Sequence, residues 1–334
     1  MTLARRFRKS LIQMIPTHNK EPVYIGKDFD FIFSCLSRKK LSEIKRIIIK
    51  INMVSPHLKL SMTPSDLVEK LARYLINNGF YGEILIAEGS AGVTWDGFRA
   101  GGFVEIAKRY PNVELFDIHE DESIDIPILN KDFDEITVPV SKTLLTADFL
   151  ISVCRAKTHD AVVVTLSIKN VAVGGIVGVY NRRIIHQLDM SRTPATNYKV
   201  INLNIAILGG ILFPNFAIID GRVGMEGNGP IFGFPKHWGW LFSSKNALNL
   251  DSLVATAMGF NPADIGYLYY LYKMGFGELL SVPSIGATLD DVKTSFKPHN
   301  WIEFQLKWRL PRDIEEYVIK KASQIVSKYS RIKR

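Results

Sequence analysis

Two hydrophobic patterns alternate along this chain. Short apolar runs bounded by polar or turn-forming residues predict strands, and they read RIIIK, EILIA, VELFDI, FLISV, FAIID and GWLFSS. Between them, apolar residues spaced three and four apart predict helices, for example over 197–212 and in LDSLVATAMGF. Strands that alternate with helices favour an α/β fold. We therefore expect a mostly parallel, Rossmann-like sheet with helices on both faces, organised as one lobe or two.

The helix after the first strand carries recognisable start and stop signals. Thr63 can cap it, Pro64 suits its first position, and Gly79 can end it. Its apolar face would be formed by Leu67, Leu71 and Leu75. This strand and helix predict the first unit of the sheet.

The patterns divide the chain into three parts. Residues 1–45 have no clear period and are expected to be an N-terminal extension, in which DFDFIFSCLSRKK fits a short helix or an added edge strand. Residues 46–300 are expected to form the α/β domain, and a break between two lobes would fall near 120–145. Residues 301–334 should contain a basic amphipathic helix, whose apolar face would comprise Ile314, Tyr317, Val318, Ile325, Val326 and Tyr329.

Composition places the chain among ordinary globular proteins. Of its 334 residues, 47% are hydrophobic and 22% charged, which is not the composition of a disordered chain. No apolar run approaches the roughly 18 residues that span a bilayer, and the start MTLARRFRKSLIQMIP does not resemble a secretory signal. Cys35 and Cys154 provide neither a disulfide framework nor a CxxC metal motif. We expect a cytoplasmic protein without a transmembrane segment.

The net charge of +9 is concentrated at the two ends of the chain. Residues 1–10 and 320–334 carry ten basic side chains and no acidic one, so the remaining body is close to neutral, at about −1. Basic ends of this kind can contact nucleic acid or an anionic surface. Their simpler interpretation is a solvated surface that favours solubility.

Polar side chains follow several of the predicted strands, where open α/β sheets bind ligands. We expect the strand ends to meet at one edge of the sheet and to form the floor of a site. The densest group lies in AKTHDAVVVTLSIKN and includes Lys157, Thr158, His159, Lys169 and Asn170. The other candidates for ligand binding are Lys50, Asn52, Glu88, Gly89, Ser90, Asp220, Glu226 and Asn228.

Two glycine-rich segments lie among these candidates. The turn EGSAG, between a strand and a helix, can cradle an anion or serve only as a tight turn, and it is neither a Walker loop nor GxGxxG. The segment DGRVGMEGNGPIFGFP is predicted to be a long loop whose backbone can approach a ligand.

His159, Lys157 and Lys169 are the candidate catalytic residues. Imidazole titrates near neutral pH, so His159 can act as a general acid or base, or it can serve to fix a loop. The two lysines can hold a carboxylate or phosphate, or form a Schiff base if burial lowers the pKa, unless they are surface lysines.

A divalent metal is a further candidate ligand. Oxygen and imidazole donors suit magnesium, manganese or iron, and the candidate donors are Glu88, His159, His186 and Asp220. Solvated carboxylates and helix caps are the alternative for the acids. His119, beside Glu120 and Asp121, is predicted to belong to an acidic surface turn. Cys154 is predicted to be an inert core residue.

Four segments together resemble the domain of unknown function 362 family. They are INMVSP with MTPSDLVEKL, AEGSAGVTWDGF, AKTHDAVVVTLSIKN and IIDGRVGMEGNGPIFGFP, within residues 46–275. Many relatives carry a ferredoxin-like module whose cysteines hold iron–sulfur clusters. This chain lacks those cysteines, so the resemblance implies no iron–sulfur cluster here.

A more distant resemblance is to the nickel-pincer lactate racemases, which have a His, a Lys ten residues later, and another His. His159, Lys169 and His186 have comparable spacing. The resemblance implies a proton-transferring His159, a Lys169 that anchors a pyridinium-derived cofactor, and a nickel-ligating His186. The glycine pair before the racemase Lys is replaced here by Ser167-Ile168.

Two functions follow as hypotheses. The first is an enzyme acting on a small anionic metabolite, racemase- or isomerase-like and metal-assisted, although a hydrolase or transferase also fits. The second is a non-catalytic protein that binds a metabolite or nucleotide and docks on nucleic acid or an anionic surface through its basic ends.

Overall fold

One large sheet dominates the computed structural model, which describes residues 20–36, 43–188, 190–191 and 193–330. The described strands of this sheet are β1 (Val23–Gly26), β2 (Arg46–Lys50), β3 (Glu83–Glu88), β4 (Val113–Asp117), β7 (Phe149–His159), β8 (Val163–Thr165), β9 (Phe216–Asn228), β10 (Phe232–Ser244) and β11 (Ser284–Gly286). A separate two-stranded sheet is formed by β5 (Ser123–Leu129) and β6 (Glu135–Ser141).

The strand order is β11-β1-β10-β9-β7-β2-β3-β4, and β8 pairs with β7 outside this path. The five central and outer strands β9, β7, β2, β3 and β4 are parallel to their neighbours along the path. Antiparallel pairs join β10 to β9 and to β1. The predicted mostly parallel α/β sheet is confirmed.

Helices cover both faces of the sheet. In chain order the described α-helices are α1 (Phe29–Phe33), α2 (Ser65–Asn77), α3 (Thr94–Gly101), α4 (Phe103–Arg109), α5 (Lys142–Leu145), α6 (Ser167–Gly174), α7 (Tyr198–Ile211), α8 (Ala247–Ala257), α9 (Gly266–Lys273), α10 (Leu289–Val292), α11 (Ile302–Gln305) and α12 (Arg312–Tyr329). Within β2, Ile47 and Ile49 pack with α1–α4 in one hydrophobic cluster, and Ile48 packs with α6–α9 in another. Alternate side chains of a strand point to opposite faces, so the sheet separates two cores.

The segments predicted at the borders of the domain join the same structure. Within the predicted N-terminal extension, the described residues 20–36 contribute β1 to the sheet and α1 to one of its faces. The β5–β6 hairpin buries Ile126 and Val138 in the cluster that contains Ile48. No described helix is both long and apolar enough to cross a membrane.

The predicted glycine-rich loop is wrong, because DGRVGMEGNGPIFGFP forms most of a long hairpin between β9 and β10. Gly221, Gly224 and Gly233 lie within its strands where a side chain would be crowded, whereas Gly227 adopts a positive φ of 78°. A side chain at Gly224 would lie 2.7 Å from the Phe296 ring and 3.0 Å from the Ala156 carbonyl oxygen. The glycines therefore reflect crowding around β9 rather than a mobile backbone.

Two helix details also differ from the prediction. Helix α2 begins at Ser65, one residue after the predicted Pro64, and the Thr63 hydroxyl does not cap it but donates to the Val153 carbonyl. On α12, Val318, Ile325 and Val326 are buried as expected, whereas Tyr317 is mostly exposed.

Candidate functional site

Two adjacent strand ends bring together a buried ion pair. Lys50 and Glu88 are the last residues of the parallel strands β2 and β3, and Lys50 Nζ pairs with a Glu88 carboxylate oxygen. Both side chains are almost completely shielded from solvent. Burial lowers the pKa of Lys50 and raises that of Glu88, while the opposite charge of each partner works against both shifts. The ion pair thus lies, shielded from solvent, at the carboxyl ends of two neighbouring strands of the sheet.

Asn170, on α6, connects this ion pair to the neighbouring strand. Its Oδ1 accepts from Lys50 Nζ at 3.3 Å and from Asn52 Nδ2 at 3.2 Å. Its Nδ2 donates to the Lys50 carbonyl at 3.0 Å and to Ser152 Oγ at 3.1 Å. The amide thereby uses both of its ends to fix α6 against β2 and β7.

Lys157 completes what we term the lysine–asparagine network, formed by Lys50, Asn52, Glu88, Lys157 and Asn170. Lys157 Nζ donates to Asn52 Oδ1 and, at 2.9 Å, to the Ser61 carbonyl. Burial lowers its pKa to about 7. At neutral pH, the protonated and neutral forms of Lys157 are therefore both populated.

Gly174 is needed where α6 passes over Lys50. A side chain at this position would lie 2.7 Å from Lys50 Cε, which is closer than packed carbon atoms approach. The absence of a side chain at Gly174 therefore allows α6 to pack over the buried Lys50 ammonium.

The start of α6 is fixed by Asp251, a residue of α8. Its carboxylate accepts from Ser167 N at 2.9 Å, Ser167 Oγ at 2.6 Å and Ile168 N at 2.9 Å. Burial raises its pKa to about 7. Sequence reasoning missed Asp251, although an acid within the apolar pattern LDSLVATAMGF was a signal that could have identified it.

A second group lies beside this network, and we call His159, Asp160, Lys169 and His186 the histidine–lysine cluster. His159 Nδ1 lies 2.9 Å from Asp160 Oδ1, and it accepts from Ala161 N at 3.0 Å. His159 Nε2 has no hydrogen bond to any described residue. Its own carbonyl accepts from Gln305 Nε2 at 2.8 Å, which fixes the end of β7.

Lys169 is the least compensated member of the cluster. It is only 7% exposed, and among the described residues it has no hydrogen-bond or ion-pair partner. Burial lowers its pKa to about 8, and the charge of Asp160 opposes that shift. An amine with so little contact with solvent and no protein partner is a costly feature, and Lys169 is therefore a candidate for contact with a ligand.

The pKa shifts of both histidines show that the cluster is electrostatically coupled. Burial, followed by the charge of Lys169, lowers the pKa of His159 to about 4 and that of His186 to about 4. Burial alone would raise the pKa of Asp160, but the neighbouring His159 and Lys169 outweigh it and keep the carboxylate ionised. At neutral pH, two neutral imidazoles therefore face one amine and one carboxylate.

His119 and Arg182 link the EGSAG turn to this site. His119 Nε2 lies 2.8 Å from the Ser90 carbonyl, and its Nδ1 accepts from Gly178 N at 3.1 Å. The predicted acidic surface turn is therefore wrong for His119, which is half-buried and held at both ring nitrogens. Arg182 donates to the Gly89 carbonyl, and its buried Nε has no hydrogen-bond partner among the residues that the structure describes. Arg182 is not among the candidates predicted from the sequence.

Several candidates serve to hold β9 in place. Asp220 pairs with Arg222 at 2.6 Å, and the Glu226 carboxylate accepts from Lys297 N at 3.0 Å. The Thr158 hydroxyl donates to the Gly227 carbonyl at 2.8 Å. Asn228 Oδ1 accepts from Asn300 N at 3.1 Å.

The candidate metal donors do not form one site. Among the described residues, no three His, Cys, Asp or Glu side chains are grouped so that they could hold a metal ion. Glu88 is paired with Lys50 and Asp220 with Arg222. Of the four candidates, only His159 and His186 remain, and both are close enough to Lys169 for its charge to contribute to the lowering of their pKa values. Cys154 is fully buried, and burial raises its pKa far above the ordinary value, as expected of an inert core thiol.

Comparison with known proteins identifies the family. A curated thylakoid-associated protein of Synechocystis sp., sll1697, is 26% identical over 162 residues, which cover 46% of this chain and 48% of that protein. The match thus spans about half the length of that relative. The family model described as domain of unknown function (DUF362) matches residues 47–256, more than half of the chain. The chain therefore belongs to the domain of unknown function 362 family.

Proposed function

We propose that this protein is an enzyme that acts on a small anionic metabolite and transfers a proton at the histidine–lysine cluster. The observation that carries the proposal is Lys169, a buried amine without a partner beside two neutral imidazoles. An anion that paired with Lys169 would supply the missing partner. It would also lie beside His159.

The charges around the cluster support an anionic ligand. The charges that act on Lys169 are those of Asp160, which opposes the lowering of its pKa, and Arg182, which contributes to it. Two cations are thus balanced by one carboxylate at this position. A carboxylate or phosphate group of a ligand would supply the second negative charge in a site where burial strengthens electrostatic interactions.

His159 has the contacts that a proton-transferring residue requires. In the neutral tautomer that carries its proton on Nδ1, this N–H can donate to the Asp160 carboxylate at 2.9 Å, which leaves the Nε2 lone pair free to take a proton from a ligand. In the other neutral tautomer, Nδ1 accepts from the Ala161 N–H and Nε2 carries the proton. Once Nε2 has taken a proton, the contact between Nδ1–H and Asp160 stabilises the charged ring, which can then return the proton from Nε2.

Racemisation or isomerisation fits this arrangement best. A carboxylate on Lys169 would place its neighbouring carbon near the imidazoles, and removal of a proton from that carbon is the shared step of such reactions. His186 would be a second imidazole for returning a proton. The described residues form no group of three His, Cys, Asp or Glu side chains that could hold a metal ion. The proton transfer is therefore assigned to the two histidines.

Hydrogen exchange tests this proposal directly. The protein is incubated in D₂O with a panel of 2-hydroxy acids, and deuterium at the carbon beside the carboxylate is followed by NMR. We expect exchange by the unmodified protein and a loss of about 100-fold or more in His159→Asn, since general acid–base catalysis contributes about that much. Lys236→Met, a change outside the cluster, is the control. Equal exchange with His159→Asn would exclude the proposed role.

One observation favours the second hypothesis, in which the protein is non-catalytic and its basic ends contact nucleic acid or an anionic surface. The lysine–asparagine network satisfies its hydrogen bonds without a ligand. Residues 1–10 and 331–334 lie outside the described residues, and Lys320 and Lys328 are exposed on α12. Thermal stabilisation by an anion without any exchange, together with salt-dependent nucleic-acid binding, would favour this function.

A further inference from the structure

A cavity of about 700 Å³ lies where the start of α7 meets the segment between α11 and α12. The turn that joins β5 to β6 also contributes to its lining. None of the described residues that line it belongs to the histidine–lysine cluster. Cavities of about 300–1,000 Å³ accommodate small-molecule ligands, so this cavity is a candidate for a second binding site.

The lining of this cavity is cationic. It contains three lysines, and none of the described lining residues is acidic; the lysines are Lys131, Lys199 and Lys307. Lys131 pairs with Asp132 at 3.1 Å, whereas Lys199 and Lys307 have no ion-pair partner among the described residues. The three ammonium groups come from separate segments of the chain. A concave surface lined by charges of one sign attracts ligands of the opposite sign.

The start of α7 adds polar groups of the same preference. Asn197, Tyr198 and Lys199 are the N-cap and the first two residues of this 14-residue helix, and all three line the cavity. The Asn197 side chain already accepts from Val200 N at 3.4 Å. The positive end of the helix dipole favours an anion nearby, and the hydroxyl of Thr196 in the same lining can donate to one.

The rest of the lining is largely apolar. Phe133, Phe304, Leu310, Pro311 and Ile314 contribute to it. Phe304 is 41% exposed, and the Nζ of Lys307 lies 5.0 Å from the centre of its ring. An aromatic face and a cation are therefore available side by side. A ligand that complements both carries a negative charge and a flat apolar group.

From these features we infer that the cavity binds a nucleoside polyphosphate. Its phosphate groups would contact Lys131, Lys199 and Lys307, since lysine binds phosphate as a point charge. Its base would stack on Phe304, as bases stack on exposed aromatic side chains. Three cations match a chain of phosphate groups better than a single carboxylate. The site goes beyond the proposed function, because it shares no residue with the histidine–lysine cluster.

Calorimetric titration of the full chain with ATP, AMP, adenosine and tripolyphosphate tests the inference. We expect ATP to bind about tenfold more tightly than AMP, because more phosphate groups reach the lysines. We also expect it to bind about tenfold more tightly than tripolyphosphate, because only ATP has a base to stack. Adenosine should bind most weakly.

Two pairs of variants locate the site. A double variant with Lys199→Met and Lys307→Met should weaken ATP about tenfold or more, as loss of hydrogen bonds to charged groups predicts. Lys320→Met with Lys328→Met removes the same charge from exposed positions of α12 outside the lining and should leave the affinity unchanged. Phe304→Ser should weaken ATP but not tripolyphosphate, whereas Phe234→Ser, an exposed change outside the lining, should affect neither.

Three results would overturn the inference. Equal weakening of ATP by the two double lysine variants would mean that a diffuse attraction to a basic protein replaces a site in the cavity. Equal affinity for ATP and tripolyphosphate, insensitive to Phe304→Ser, would exclude the contact with the base. Absence of ATP binding, together with binding to phosphatidylserine vesicles that is lost in Lys199→Met with Lys307→Met, would assign these lysines to a membrane surface. The exchange reaction at His159 is measured separately, so none of these results decides the proposed function.

Discussion

At the scale of single residues, two buried lysines at the same sheet edge have opposite surroundings. Lys50 is paired with Glu88 and hydrogen-bonded to the Ile51 carbonyl and Asn170. Lys169 has no such partner among the described residues. The first arrangement is that of a structural ion pair, whereas the second is the one on which the proposed ligand contact of Lys169 rests.

This contrast predicts opposite effects of the same substitution. Lys50→Met leaves the Glu88 carboxylate buried without its partner, and we expect a loss of about 3–5 kcal/mol in the free energy of unfolding. Lys169→Met removes an uncompensated amine, and we expect no loss or a small gain in stability. Urea denaturation measures both. A comparable loss in the two variants would show that Lys169 is structural.

The individual site residues were predictable from the sequence only in part. Lys50, Glu88, Lys157 and Asn170 do meet at the ends of β2, β3, β7 and the start of α6, as parallel strand ends must. Whether a residue contacts ligand or another side chain depends on distances of a few ångströms. The ion pair between Lys50 and Glu88 therefore could not be inferred, nor could the pairing of Asp220 with Arg222.

At the scale of elements, the β9–β10 hairpin shows what glycine contributes. The apolar run FAIID predicted only the start of β9, because glycines usually weaken a strand. In this hairpin they make room for neighbours. The pattern of local residues cannot distinguish the two cases, since the crowding at Gly224 comes from Phe296, more than 70 residues away in the chain.

We predict that Gly224→Ala destabilises the protein by about 1–3 kcal/mol, the usual cost of overpacking. The added methyl group would contact the Phe296 ring and the Ala156 carbonyl, and β7 would have to move away from β9. Thermal unfolding monitored by circular dichroism measures the effect. Phe234→Ala, an exposed change in the same hairpin, should be neutral. An unchanged melting temperature in Gly224→Ala would show that β9 has room for a side chain.

At the scale of the whole molecule, the alternation of apolar runs and helical periods was sufficient to predict the architecture. The parallel order of β4, β3, β2, β7 and β9 requires crossover connections, and helices supply them. The antiparallel addition of β10 and β1 was not predictable, because it depends on the hairpin hidden in the glycine-rich segment.

Buried lysines make the stability of the whole molecule depend on pH. Folding lowers the pKa of Lys157 to about 7 and that of Lys169 to about 8, from 10.5. At pH values between these folded pKa values and 10.5, the unfolded chain binds more protons than the folded chain, so the free energy of unfolding rises with pH. Asp251 has the opposite effect on the free energy of unfolding. Folding raises its pKa to about 7, so the stabilisation that its protonated form contributes is lost as pH rises through that value.

The two lysines outweigh the one acid, and we expect the free energy of unfolding to increase by about 2 kcal/mol from about pH 7 to pH 8.5. Urea denaturation at several pH values measures this slope. A double variant with Lys157→Met and Lys169→Met should lose the increase, because neither position then binds a proton, and the opposing contribution of Asp251 should remain. A flat or falling profile in the unmodified protein would mean that both ammonium groups keep their protons in the folded state. The site would then bind its anion with fixed charges, and affinity would not weaken as pH rises through 8.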